Sequence, residues 1–295
     1  MTKPTIGFIG LGLMGAAIVG RLQDQGYALT ITANRTRPAI DAAVARGATE
    51  VATARDVAAA SDIIMLCMDT SASVESRMNG PDGVFAGLKT GATVIDFGTS
   101  LPASTRGLSA TASAMGAAYL DAPLGRTPAH AKDGLLNIMC AGDAAAFEAV
   151  QPVLKDIGEN VFHLGASGSG HTIKLINNFF GMTVANAMAE ALAMADIAGV
   201  GRQDLYNVMA AGPLHSGMMD FVAAYGIDND TSKLAFAIKN AAKDVGYYSQ
   251  MAEQAGATSR IAPAPLNALK DAVSDGRGEL MVCEMVDFYA ETLKG

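Results

Sequence analysis

One segment constrains the fold more than any other: Gly10-Leu11-Gly12-Leu13-Met14-Gly15. It follows an apolar run, Ile6–Ile9, and precedes a helical pattern, Ala16–Gln25. A GxGxxG string alone is a weak signal, because glycine-rich turns are common. Between a strand and a helix it acquires a mechanical reason. The first glycine permits a tight turn, the second lets a pyrophosphate approach the backbone, and the third lets helix pack on strand. The free N–H groups and the positive dipole end of the helix then favour phosphate. Residues 10–15 are therefore the candidate cradle of a dinucleotide.

The rest of the chain is read around that turn. Short β-type runs at Thr5–Ile9, Ala28–Ala33, Ile63–Met68, Thr93–Phe97, Ala118–Asp121 and Asn137–Ala141 alternate with Ala-rich helical stretches such as Ala16–Gln25 and Arg37–Arg46. Alternation of this kind, with strands of nearly continuous apolar character, predicts a parallel, doubly wound α/β sheet. A last strand is expected at Val161–Leu164, followed by the Gly/Ser stretch Gly165–Gly170. Beyond it the patterns are helical, at His171–Gly199, Arg202–Ala211, Leu234–Ala255, Ala262–Ser274 and again after Gly278. The expected organisation is a Rossmann dinucleotide-binding domain at 1–165 and an all-helical domain at 166–295, which would carry substrate and oligomer contacts. The helix after Gly170 is apolar on nearly every face, which predicts burial on all sides, either as a central element linking the two domains or by packing into a partner subunit.

The second strand leads into Asn34-Arg35-Thr36-Arg37. An acid that would accept from a ribose 2′-hydroxyl is missing there, and Arg35 can pair with a 2′-phosphate. The charge pattern favours NADP, with NAD as the alternative, and assigns Asn34, Arg35 and Thr36 to the cofactor.

A second informative segment is Gly170-His171-Thr172-Ile173-Lys174-Leu175-Ile176-Asn177-Asn178. Lys174, Asn177 and Asn178 stand at i, i+3 and i+4 and share one helical face. A lysine and two amides in so apolar a helix are costly without partners, and a cleft holding a polar substrate would satisfy them. A lysine there can give a proton to a carbonyl oxygen as hydride reaches the carbon, and can take it back in the reverse direction.

Composition excludes several classes. The formal net charge is −8 and no stretch clusters Lys and Arg, so nucleic acid is not an expected partner. Cys67, Cys140 and Cys283 are scattered, and the four histidines lack ligand spacing, so no metal is expected. No basic and apolar leader opens the chain. The longest apolar stretch carries Asn177, Asn178, Asn186 and Glu190, which opposes a membrane span. The expected location is the cytoplasm.

Together these motifs resemble the 3-hydroxyisobutyrate dehydrogenase, or β-hydroxyacid dehydrogenase, family, within the larger group that includes 6-phosphogluconate dehydrogenase. Gly7-Phe8-Ile9-Gly10-Leu11-Gly12-Leu13-Met14-Gly15 looks like its N-terminal signature, residues 170–178 like its GxxxKxxNN motif, and Lys243-Asp244 like a further pair. The resemblance implies a Rossmann domain followed by a helical domain, commonly in dimers or tetramers. It implies Lys174 as general acid/base and Asn178 as a substrate contact that supports it. Asp96-Phe97-Gly98-Thr99 looks like the DxST segment, which points to Thr99 near the nicotinamide ribose. Met68, Asp69 and Lys243 would lie beside the cofactor, with Asp244 supporting Lys243. The implied substrate is a small anionic hydroxy acid or its aldehyde.

The chain departs from the family in the substrate loop, usually DAPVSGG. Here it reads Asp121-Ala122-Pro123-Leu124-Gly125-Arg126-Thr127. Gly125, Arg126 and Thr127 keep backbone donors, move the hydroxyl and add a guanidinium suited to a stronger oxyanion. A similar Gly-Arg-Thr segment occurs in the sulfolactaldehyde reductase branch; the alternative is that Arg126 points outward and pairs with a surface acid. Near the C-terminus, Gly276–Cys283 has lost the acid and serine that often follow the glycines. The alternatives are an imine reductase of the same plan, which usually has Asp or Tyr in place of Lys174, and a non-catalytic NADP-binding relative.

Overall fold

Strand residues of alternating direction build two apolar faces on one sheet. In the computed structural model, which describes residues 3–33 and 37–294, the strands β1 (Ile6–Ile9), β2 (Leu29–Thr32), β3 (Thr49–Val51), β4 (Ile63–Leu66), β5 (Thr93–Asp96) and β6 (Ala118–Asp121) pair in parallel. Their order is β3-β2-β1-β4-β5-β6. Ile6, Phe8, Ile31, Met65, Ile95 and Leu120 pack on one side with Ile18 and Leu22 of the helix Leu13–Asp24. Ile9, Ile64, Leu66, Val94 and Tyr119 pack on the other with Val57, Val74, Met78 and Leu108. Period-two alternation with helices on both faces explains why these strands are apolar throughout. Each such side chain contributes roughly 1.5–3 kcal/mol when fully buried. The Rossmann expectation holds.

The run Asn137–Ala141 does not join this sheet. It forms β8 (Leu136–Cys140) of a second sheet, between β7 (Leu124–Gly125) and β9 (Gly158–His163). β7 pairs antiparallel with β8, and β8 pairs parallel with β9. The sixth strand of the main sheet is instead the short edge strand β3.

The chain divides into two compact units, Met1–Lys174 and Leu175–Gly295, and the division falls within one helix, Ser169–Ile197. The second unit is helical. Its core gathers Met182, Ala185, Ala189, Leu192, Val222, Ile238, Val245, Leu269 and Val286. Small residues at Ala185, Ala189 and Ala193 lie flush against their neighbours, and Asn186 is satisfied by Met182 O and the Tyr289 hydroxyl. The helix Gly217–Asp228, absent from the sequence reading, is part of this core.

Within the chain itself the long helix is covered on one side. Ile173, Ile176 and Phe180 are exposed, Phe180 at 69%. The chain itself covers only the side carrying Leu175, Met182, Met188 and Leu192. Among the described residues, no helix is long and apolar enough to cross a membrane.

Cys140 and Cys283 are fully buried free thiols. Burial, aided by Asp121, pushes Cys140 up to about 12; burial, aided by Glu284, pushes Cys283 up to about 11. An unfolded chain releases these protons near pH ~8.5. The fold holds them, so this contribution to stability is complete below that pH and falls as pH rises toward 11. The denaturation midpoint is expected to drop between pH 8 and pH 10, and to drop less in Cys283→Ala. An equal slope in the variant would contradict the assignment to this thiol.

Candidate active site

Register brings the sequence-predicted residues of the first unit to one edge. Ile9, Leu66, Asp96 and Asp121 end β1, β4, β5 and β6 in a single row. The glycine turn, the Met68-Asp69 loop, the Thr99 turn and the substrate loop all continue from that row. The strand order reverses between β1 and β4, where parallel sheets open a crevice beyond their carboxyl ends. Asn34, Arg35 and Thr36 follow β2 in sequence but lie outside the described residues.

The three glycines have separate reasons. Gly10 has φ +99°, and a Cβ there would sit 2.4 Å from Cys67 O and 2.9 Å from Met68 Sδ. A Cβ on Gly15 would sit 2.0 Å from Gly10 O. The protein itself demands both. A Cβ on Gly12 would meet nothing within 4 Å. Gly12 precedes a helix with no side-chain cap and no acid in its first turn, so its leading N–H groups keep their affinity for an anion. Leu13 is 86% exposed at the tip, whereas Leu11 is buried and has only its backbone to offer. The cradle fits a pyrophosphate.

Two buried carboxylates shape the neighbouring loops. Asp96 Oδ1 accepts from Gly98 N at 2.8 Å, and its Oδ2 accepts from the Ser100 and Tyr119 hydroxyls at 3.1 Å each. This locks the turn 97–100, in which Thr99 is the one incompletely buried residue. Burial and the Asp96 charge raise the Tyr119 hydroxyl well above its ordinary value, so it stays a donor. Asp121 Oδ1 accepts from Gly168 N at 2.8 Å and its Oδ2 from His171 N at 2.9 Å. A carboxylate therefore caps the start of the lysine helix, where the dipole favours it.

His171, which sequence reasoning passed over, lies fully buried between these acids. Its Nδ1 is 2.7 Å from Thr105 Oγ1. Its Nε2 is 3.8 Å from Asp96 Oδ2 and has no hydrogen-bond partner. The only signal available in the sequence was its place one turn before Lys174.

Lys174 is half-buried, Asn177 exposed and Asn178 buried. Within the helical unit, Asn178 Nδ2 donates to Asp244 Oδ2 at 2.6 Å, and Asp244 Oδ1 is 3.0 Å from Lys243 Nζ. A carboxylate can only accept, so the amide must turn its NH₂ toward Asp244 and its carbonyl away. That carbonyl accepts from Asn177 Nδ2 at 3.3 Å. The Lys-Asp and Asn-Asn pairs of the sequence thus meet.

In the substrate loop, Arg126 pairs with an acid of the protein at its surface. Its φ is +76°, a left-handed conformation that favours the glycine usual there. Its guanidinium donates to Leu135 O at 2.7 Å and to Glu159 at 2.5 Å. Glu159 lies on β9, so Arg126 ties the loop to the second sheet. Thr127 Oγ1 is 2.8 Å from His130 Nδ1, and Gly125 lies within β7. Among the described residues, no group of three or more His, Cys, Asp or Glu is placed to hold a metal.

Comparison with known proteins was made against this geometry. A family profile described as the NAD binding domain of 6-phosphogluconate dehydrogenase matches residues 5–165. A second, described as NAD-binding of NADP-dependent 3-hydroxyisobutyrate dehydrogenase, matches residues 168–289. The 2-(hydroxymethyl)glutarate dehydrogenase of Eubacterium barkeri is 33% identical over 92% of this chain and 88% of its own length. The 2-hydroxy-3-oxopropionate reductase of Escherichia coli is 35% identical over 66% of this chain and 66% of its own. The solved structure of Mycobacterium tuberculosis 3-hydroxyisobutyrate dehydrogenase with L-serine superposes with a TM-score of 0.85, at 22% identity and full coverage of both chains.

Proposed function

The chain belongs to the 3-hydroxyisobutyrate dehydrogenase family of NAD(P)-dependent oxidoreductases, and on that premise we propose that it interconverts a small anionic 3-hydroxy acid and its aldehyde, with Lys174 moving the proton. The observation that carries this reading is the half-buried Lys174 one turn from Asn178, whose amide Asp244 orients. Residues 10–15 hold the pyrophosphate, Met68, Asp69 and Thr99 flank the cofactor, and Lys243 takes the role that its Lys-Asp pair carries in the family. When bound there, the nicotinamide would supply or take up the hydride at the substrate carbon. Lys174 gives its proton to the carbonyl oxygen in reduction and removes the hydroxyl proton in oxidation. The Asn178 carbonyl, turned from Asp244, is assigned to the substrate hydroxyl.

Lysine at 174 favours carbonyl reduction over the imine chemistry of relatives that have Asp or Tyr there. Retention of Lys174, Asn178 and the glycine turn together favours a working enzyme over a non-catalytic NADP-binding protein. Lys174→Ala is expected to lower kcat by about 10²–10⁴ while the cofactor dissociation constant stays within twofold. Near-normal turnover in that variant would remove Lys174 from the reaction. Failure of the unaltered protein to turn over any hydroxy acid or semialdehyde with either cofactor would remove the reaction itself.

For the cofactor, the missing acid and Arg35 favour NADP. Arg35→Asp is expected to shift the ratio of kcat/KM values toward NAD by at least tenfold. An unchanged ratio would refute the role of Arg35.

For the substrate, the backbone of Gly125–Thr127 and the Thr127 hydroxyl are assigned to the anion. A sulfonate such as that of sulfolactaldehyde is the finer reading, favoured by Arg126 in this loop. It requires the guanidinium to exchange Glu159 for the substrate. Under that reading Arg126→Ala raises KM for the sulfonate at least tenfold more than for a carboxylate semialdehyde. Equal effects on the two would leave Arg126 as a tether of the loop alone.

A further inference from the structure

His171 is a buried group that neither the glycine turn nor the proton transfer uses. It stands at the meeting point of three functional segments. Asp96 shapes the turn that presents Thr99, Asp121 opens the substrate loop and caps the lysine helix, and His171 lies one turn before Lys174 in that helix. All three side chains are fully buried, and Asp96 and Asp121 are register partners on neighbouring strands. Two carboxylates side by side in an apolar interior repel one another and are costly to desolvate.

Hydrogen bonds and the facing carboxylates together favour one state of the ring. Thr105 comes from the helix Pro102–Ala114, and its hydroxyl has one hydrogen, which is placed to donate to Leu101 O at 3.2 Å. The 2.7 Å contact to His171 Nδ1 is then filled by an Nδ1–H donor. Asp96 from β5 faces Nε2 at 3.8 Å, and Asp121 from β6 faces Nδ1 at 4.0 Å. The Tyr119 and Ser100 hydroxyls already donate to Asp96. A bare lone pair on Nε2 would face a carboxylate, whereas an N–H there is attracted to it.

We infer that His171 carries hydrogen on both ring nitrogens and is the shared counter-ion of Asp96 and Asp121, a positioning residue that keeps the Thr99 turn, the substrate loop and the Lys174 helix in register. The effect on Lys174 rests on the proposed proton transfer; the charge state does not. Both are separable by experiment.

The full chain, labelled with ¹⁵N at histidine, is measured at pH 7.5 by two-bond ¹⁵N–¹H correlation. His130→Gln, His163→Gln and His215→Gln assign the His171 signals by elimination, so the measurement survives even if a His171 variant does not fold. Both ring nitrogens at protonated shifts are expected; one nitrogen at an unprotonated shift overturns the charge assignment. In thermal unfolding, His171→Gln is expected to lower Tm by roughly 10 °C, and adding Asp96→Asn to restore at least half of that loss. Strictly additive effects would overturn the counter-ion role. In kinetics, folded His171→Gln is expected to lose about tenfold in kcat with KM and cofactor affinity within twofold. An unchanged kcat there, beside an inactive Lys174→Ala, would overturn the positioning role and leave the lysine reading intact. An active Lys174→Ala beside a doubly protonated His171 would do the reverse.

Discussion

The carboxylate of Asp121 carries more of this architecture than its single side chain suggests. It ends β6 in the interior, accepts the N–H groups of Gly168 and His171, and so decides where the long helix begins. Helix starts expose N–H groups that need acceptors, and a buried start needs them from the protein. With that start fixed, position 174 falls one and a half turns on, and positions 177 and 178 a further turn on. Asp96 performs the equivalent task one strand over for the Thr99 turn. Carboxylates at the ends of two adjacent strands thus fix both the Thr99 turn and the helix start.

Much of this was legible in the sequence because it is local. The glycine turn, its flanking strand and helix, and five strands of the main sheet follow from periodicity within a few residues. What was not legible depends on distant partners. Asn137–Ala141 has the apolar character of a central strand, yet it joins a second sheet, because β7 begins only two residues after β6 and leaves no room for a crossover helix. The edge strand β3 carries exposed Thr49 and Glu50, so no apolar run announced it. The helix Gly217–Asp228 is apolar along most of its length and shows no single face. His171 stood within a motif that was read for its lysine, and its partners come from three other elements.

Arg126 shows how a residue can satisfy a chemical argument and still be placed by another. A guanidinium in a substrate loop suits an oxyanion, but here it meets an anion of the protein, Glu159, and the carbonyl of Leu135. Its left-handed backbone is costly for a side chain with a Cβ. Its contacts to Leu135 O and Glu159 fasten that conformation to the second sheet.

The separation of the two sheets has a consequence for divergence within the family. The cofactor cradle grows from the six-stranded sheet, whereas the substrate loop is seated on β7, a two-residue strand of the small one. If that loop selects the acid, as proposed, replacements along the hairpin act on a sheet separate from the six strands beneath the glycine turn. Ala122-Pro123 is the short seam between the two sheets, so a change of substrate range on one side of it need not disturb the strands on the other.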